Sequence, residues 1–166
     1  MSGRWVQAEN AVGARVPRIE LMDQNGELVD LYDFASTDAM VLIDISSMWC
    51  GACHTLSAYL AGAAGTWLEE THPNLPGIIE DGKLSWLTVL GEDRSRSRPD
   101  LADLQEWDGE YFNEKIPVLA DDGRFSALIY GWPTLLLLSP DMTIAVTAGS
   151  PSGHWLAPLD AAHDIP

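Results

Sequence analysis

Cysteine is scarce in this chain, with two among 166 residues. So few thiols exclude a small secreted scaffold held together by several disulfides, and the hydrophobic core has to carry the stability. A structural zinc site needs about four ligands in a closed tetrahedron. Only Cys50, Cys53 and His54 are close in sequence, while His72, His154 and His163 are scattered, so no metal site is expected. Positive charge is scarce too. Nine Lys and Arg face 25 Asp and Glu, a formal net charge of -16, which argues against nucleic acid or an anionic membrane as partner surface. The acidity reads as solubility. Residues 1–18 mix Arg4, Glu9, Asn10 and Arg15 with small residues and hold no continuous apolar stretch, so neither a signal peptide nor a membrane span is expected. That reading places the chain as written in the cytoplasm, or in the periplasm if it is a trimmed mature domain. Repeats and low-complexity linkers are also missing, and one domain over residues 1–166 is expected, with residues 1–15 as an irregular arm.

What the chain does have is Trp49-Cys50-Gly51-Ala52-Cys53, which holds both cysteines at CxxC spacing directly after the mostly apolar run 40–46. A run of that length and composition predicts a strand buried on both faces, with the motif at its C-terminal end. Leu56, Leu60, Ala64, Trp67 and Leu68 recur at three- and four-residue steps, predicting a helix that ends near Glu69 and Glu70, weakened at Gly62 and Gly65 where close packing on a sheet is an option. If Cys50 stands at that helix N-terminus, the dipole and free amides favour its thiolate, and a thiolate that a second thiol can resolve is a redox catalyst.

Around the motif, residues 19–22 and 27–31 flank Asn25-Gly26, a dipeptide that favours a tight type I′ hairpin turn. Residues 71–82, with Pro73, Pro76, Gly77 and Gly82, read as a loop or broken insert. A strand over 84–90, a helix over 99–107 with Pro99 in its first turn, a short helix over 121–130, strands over 134–138 and 143–147, and a short closing helix at Trp155, Leu156 and Leu159 follow. The alternation predicts an α/β sheet with helices on both faces.

VLIDISSMWCGAC, followed about eighty residues later by GWPTLLLL, resembles the thioredoxin-like superfamily. The N-terminal hairpin, the insert after the first helix and the stretch IPVLADDGRFSALIYGWPT are most similar to its redoxin branch of TlpA-like thiol-disulfide oxidoreductases, over about residues 16–147. The resemblance implies a thioredoxin fold: a central mixed β-sheet flanked by helices, with an N-terminal β-hairpin extension. It implies Cys50 as attacking thiolate, Cys53 as resolving thiol, and Trp49, Gly51, Ala52, Trp132 and Pro133 as the substrate-facing surface, Pro133 matching the family's cis-proline. Asp44, six residues before Cys50, stands where the thioredoxin pattern has a buried acid. Burial would raise its pKa and let it take the proton of Cys53 as that thiol attacks; the alternative is a strand-end Asp bonded to backbone. No cofactor is implied beyond the redox-active Cys50–Cys53 pair. The partners implied are protein thiols and disulfides and an electron donor, with the chain acting as a monomer.

The chain departs from thioredoxin in having Gly51-Ala52 between the cysteines, where Gly-Pro is usual, and Trp132 before the proline, where Thr, Val or Ile is usual. Trp132 reads either as a wall of the substrate groove or as a packing residue. His54 completes a CxxCH pattern, the attachment signature of c-type haem, but a strand-bound motif without an export signal disfavours it. His54 is instead expected to be a solvated first-turn residue, or a modulator of Cys50. Peroxidase chemistry is disfavoured because Ile43 and Ser47 stand where peroxiredoxins carry Pro and Thr. The remaining alternative is a thioredoxin-fold binding or scaffold module that performs no chemistry. Reduction is the expected direction, since nothing charge-rich lies between the cysteines to overstabilise a thiolate.

Overall fold

The structure, a computed structural model, describes residues 11–126, 131–147 and 155–166. Strand β3 (Met40–Ser47) is buried along nearly its whole length and forms the middle of a five-stranded sheet. Beside it run β4 (Leu84–Glu92) in parallel and β6 (Thr134–Leu138) antiparallel. The short strands β5 (Val118–Ala120) and β7 (Ile144–Val146) close the two edges. A continuous apolar run suits such a doubly covered position, because alternate side chains enter two separate cores. Val41, Ile43 and Ile45 enter one, together with Leu87, Val89, Leu136 and Leu138. Leu42 enters the other with Trp86, Leu135 and Leu137.

The second core is covered by α1 (Gly51–Leu60), α2 (Leu68–Thr71), α3 (Leu75–Glu80) and the closing helix α5 (Leu156–His163). The first is covered, among the described residues, by Val16, Ile19, Phe125, Met142 and the antiparallel hairpin β1 (Glu20–Met22) and β2 (Leu28–Asp30), followed by a short 3-10 turn at Leu31–Phe34. Helix α4 (Leu101–Glu110) seats Leu104 and Trp107 against Leu90 and Val118. Its N-terminus carries a capping box in which Asp100 and Asp103 each accept the other's amide, an arrangement that satisfies two otherwise unpaired backbone donors.

Several expectations change in detail, each for a local reason. The long helix after the motif stops at Leu60, because Gly62 and Gly65 take φ of +97° and +82° and end it. Neither glycine packs closely, since a Cβ at either would meet nothing within 4 Å. Residues 71–82 are not all loop: Pro76 sits in the first turn of α3, where its missing amide costs nothing. Pro99 precedes the Asp100 cap of α4 and so lies outside that helix. The hairpin turn is not type I′. Gly26 alone takes positive φ, at +80°, its amide donates to the Asp23 carbonyl, and the Asp23 amide donates to the Glu27 carbonyl. That is a type I turn followed by a glycine bulge, and the Asp23 carboxylate locks it by accepting the Asn25 and Glu27 amides. Of the short helix expected over 121–130, residues 121–125 are not helical, a 3-10 turn begins at Ser126, and 127–130 lie outside the described residues. The β5 strand was not anticipated; it is three residues long.

Candidate functional site

At the end of β3 the register shifts between Ser46 and Ser47. The chain then turns through Met48, whose amide donates to the Glu92 carbonyl, and Cys50, whose amide donates to the Ser47 carbonyl. Cys50 is the N-cap of α1, with extended backbone, and its Sγ accepts the Cys53 amide at 3.1 Å. The sulfur therefore occupies the position in which a helix N-terminus favours negative charge. Cys50 and Cys53 form a disulfide with Cα atoms 5.3 Å apart. The two sulfurs are unequal: Cys53 has no exposure and Cys50 keeps 6%, while Trp49 beside it keeps 39%. A thiol from outside can reach only the Cys50 end of the bond.

Asp44 is fully buried in β3 between Thr88 of β4 and Leu135 of β6. It lies on the sheet face covered by α1, because it alternates with Ile43 and Ile45 of the opposite core. Its Oδ1 accepts the Ser46 hydroxyl at 2.7 Å, while Oδ2 and the indole nitrogen of nearby Trp86 have no hydrogen-bond partner within normal geometry among the described residues. Burial therefore pushes the carboxyl up to about 7, with Ser46 and the Trp86 indole only partly opposing. The reading of Asp44 as a strand-end residue bonded to backbone does not hold, since its one partner is a side chain and it sits in mid-strand.

The surface around the disulfide is aromatic. Trp132 packs against the cluster that holds Cys50 and Cys53, as does Ala52. Its ring meets Trp49 edge to face at 6.1 Å and lies on Gly91 so closely that a Cβ there would stand 2.6 Å from the ring. Trp49 donates its indole N–H to Glu92 at 2.7 Å and carries the Arg96 guanidinium 4.4 Å above its ring. The Trp132–Pro133 peptide bond is cis, and Pro133 is buried at the start of β6. Gly51 is exposed, with open space where a side chain would be. Of the residues singled out in the sequence, Trp49, Cys50, Ala52, Cys53 and Trp132 thus gather at one surface. Asp44 lies beneath it, within the sheet.

His54 is not the solvated residue expected. Its Nε2–H donates to the Met48 carbonyl at 2.8 Å, its Nδ1 lies 2.5 Å from the Tyr111 hydroxyl, and its ring packs against Trp107 at 4.7 Å, tilted by 45°. It therefore clasps the turn before Cys50 to α4. Sequence reasoning missed Tyr111, Glu92 and Arg96, which come from segments 40 or more residues away and carry no local signal. The other histidines do assemble in part: His72 and His163 rings lie 5.4 Å apart, and His72 Nε2 is 2.7 Å from Asp160. Among the described residues no group of three or more His, Cys, Asp or Glu is arranged to hold a metal ion, and no helix is long and apolar enough to cross a membrane. His154 lies outside the described residues.

No family model matches the chain, and no curated relative does. Solved structures do. The thioredoxin domain of a thiol-disulfide oxidoreductase from Bacteroides vulgatus aligns with a TM-score of 0.57 at 21% identity, over 82% of this chain and 86% of that one. A thiol:disulfide interchange protein from a Bacteroides species gives 0.57 at 22%, over 83% and 81%. The exposed lipoprotein thioredoxin of Streptococcus pneumoniae gives 0.52 at 20%, over 77% and 85%. At these identities the likeness establishes the fold: this chain has a thioredoxin fold, with a mixed five-stranded sheet and a separate antiparallel hairpin.

Proposed function

We propose that the chain is a thiol-disulfide oxidoreductase that reduces disulfides of partner proteins, working as a monomer. The observation that carries this reading is the inequality of the two sulfurs above a buried acid: Cys50 at the helix N-terminus and the surface, Cys53 enclosed, Asp44 pushed up to about 7 beneath the same face. In the reduced protein the Cys50 thiolate attacks one sulfur of the partner's disulfide. The partner's S–S bond breaks, its second sulfur leaves as a thiolate and is protonated, and a mixed disulfide joins Cys50 to the partner. Cys53 then gives its proton to Asp44 and attacks Cys50, so that the Cys50–Cys53 bond forms and the partner departs fully reduced. A dithiol electron donor returns the disulfide described here to its reduced form.

Several features support the reducing direction. The first turn of α1 holds no acidic residue, and neither residue between the cysteines is charged. The Cys50 thiolate has the helix N-terminus and the Cys53 amide, without the further cation inside the motif that would make the dithiol form strongly preferred. The experiment is turnover of insulin disulfides with dithiothreitol as donor. Cys50→Ser is expected to abolish it, and Cys53→Ser to accumulate a mixed disulfide with the substrate. Retained turnover in Cys50→Ser would overturn the assignment, and partner binding without any turnover in the wild type would favour a scaffold.

A further inference from the structure

We infer that a basic recess beside the disulfide receives an acidic side chain of the partner segment, and so selects among protein disulfides. The inference rests on the oxidoreductase reading and names a substrate class for it. The recess, of about 340 Å³, is lined by Gly91, Glu92, Arg96, Ser97, Arg98 and Ser126. It adjoins the dithiol through the two indoles, since Trp49 lies under Arg96 and Trp132 lies on Gly91. A partner chain with its cysteine at Cys50 that runs across Trp49 arrives at the two guanidinium groups.

Arginine is concentrated here. The stretch Arg94-Ser95-Arg96-Ser97-Arg98 holds three of the nine Lys and Arg of a chain with 25 acids. Arg94 is committed to Glu106 and Glu110 of α4. Arg96 and Arg98 form no ion pair among the described residues, although Glu92 lines the same recess and Asp93, Asp121 and Asp122 stand close in sequence to its lining residues or to Gly123. Each of those acids is engaged elsewhere: Glu92 with the Trp49 indole, Asp93 with the Ser95 and Ser97 amides, Asp121 with Phe125 and Ser126, and Asp122 with Arg124. Both cations are nonetheless placed. Arg96 lies over Trp49, and Arg98 lies on the bare backbone of Gly123, where a Cβ would stand 2.2 Å from its Nη2. Two oriented guanidinium groups against one acid, Glu92, leave a recess suited to a carboxylate, which arginine binds in a fork.

The scale of screening decides what kind of acidic ligand fits. A chain of net charge -16 repels a polyanion at long range, so nucleic acid and densely acidic proteins are poor partners. Within about 10 Å, the screening length near 0.1 M salt, the two arginines act on a single residue. The fitting substrate is therefore a segment of low overall charge with Asp or Glu close to its disulfide.

The test uses two disulfide-bridged peptides that differ only by Asp or Asn next to the attacked cysteine. Their affinities are read from Trp49 fluorescence in the oxidised protein, and their reduction from turnover. The wild type is expected to favour the Asp peptide about tenfold, chiefly in KM, the sum of two exposed charge pairs. In Arg96→Gln/Arg98→Gln the ratio should fall to about one, and in Arg98→Gln alone, which leaves Trp49 covered, to about threefold. An equal response to both peptides in the wild type, or an undiminished Asp preference in the double variant, overturns the inference. So does an arginine dependence confined to oxidised glutathione, which would make the recess a small-thiol site. Absent turnover with the Asp preference in binding intact would instead remove the oxidoreductase reading and leave the recess standing.

Discussion

The imidazole of His54 and the hydroxyl of Tyr111 meet at 2.5 Å, joining the first turn of α1 to the C-terminal cap of α4. The hydroxyl also lies 2.9 Å from Glu110 Oε1, and burial together with that neighbouring acid pushes it up to about 12. Tyr111 therefore keeps its proton at any working pH. On the other side His54 holds the Met48 carbonyl, two residues before Cys50. The pair fixes the turn that presents Cys50, from a helix that lies outside the motif.

A clasp of this kind has an energetic signature. Tyr111→Phe and His54→Phe are each expected to lower unfolding free energy by about 1–2 kcal/mol, since each strands a part-buried polar partner. The double variant should show a coupling of about 1 kcal/mol in denaturant unfolding. Exposed substitutions away from such contacts usually stay within about 0.5 kcal/mol, and additive losses of that size would show that His54 is solvated.

Asp44 makes stability depend on pH. Its folded-state value of about 7 lies above the 3.8 of the free side chain, so between those values the folded oxidised protein binds a proton that the unfolded chain does not. Stability is then greatest at the acid end of that window, falls as pH rises through it, and levels off above about 7. The rise from 3.8 to about 7, at about 1.4 kcal/mol per pH unit, sets a ceiling of about 4 kcal/mol. Asp44→Asn should be more stable than the wild type above pH 7, by up to that amount, and should lose the slope. Urea unfolding of the oxidised forms at pH 5 and pH 8 measures both. Parallel behaviour of the two proteins would place the titrating group elsewhere.

The same carboxyl should control turnover. Only ionised Asp44 can accept the Cys53 proton, so reduction of insulin by the wild type should fall as pH drops below about 7. Asp44→Asn should be slower by about a hundredfold at pH 8 and nearly unresponsive to pH across that range, because general base catalysis is typically worth 10²–10⁴. The relevant readout is release of the trapped mixed disulfide in single turnover. Unchanged release in Asp44→Asn would remove Asp44 from the chemistry.

Much of this molecule is legible along the chain, and the pattern of misses is physical. The buried strand at 40–46, the dithiol at its end and the acid within it are contiguous or periodic signals, and the structure places all three as read. The failures lie where tertiary context outweighs local rules. Gly62 and Gly65 count as mere weak points in an apolar periodicity, yet their positive φ ends the helix. Leu75 to Glu80 hides behind Pro76 because a first-turn proline looks like a breaker until the helix start is known. His54 reads as exposed since nothing nearby shows that Trp107 and Tyr111 will close over it. The recess at Arg96 and Arg98 depends on three distant segments, 91–98, 123–126 and the residue at 132.

Gly91 and Trp132 offer a steric test of the aromatic wall. Gly91 is buried in β4, and a methyl group there would stand 2.6 Å from Trp132 Cη2, 2.9 Å from Cζ3 and 3.3 Å from Ser126 Oγ. Contacts that short force the ring to move, and overpacking of this type costs about 1–3 kcal/mol. If Trp132 is only filling, Gly91→Ala should reduce stability and leave KM for a protein disulfide alone. If its ring is a wall of the groove beside Trp49, as the edge-to-face contact at 6.1 Å favours, the same change should also raise KM severalfold with kcat nearly constant. Trp132→Thr separates the causes. In that background the methyl group meets no indole, so Gly91→Ala should cost less than about 0.5 kcal/mol and leave KM unaltered. A cost that persists without the indole would locate the clash at Ser126 and take Trp132 out of the specificity surface.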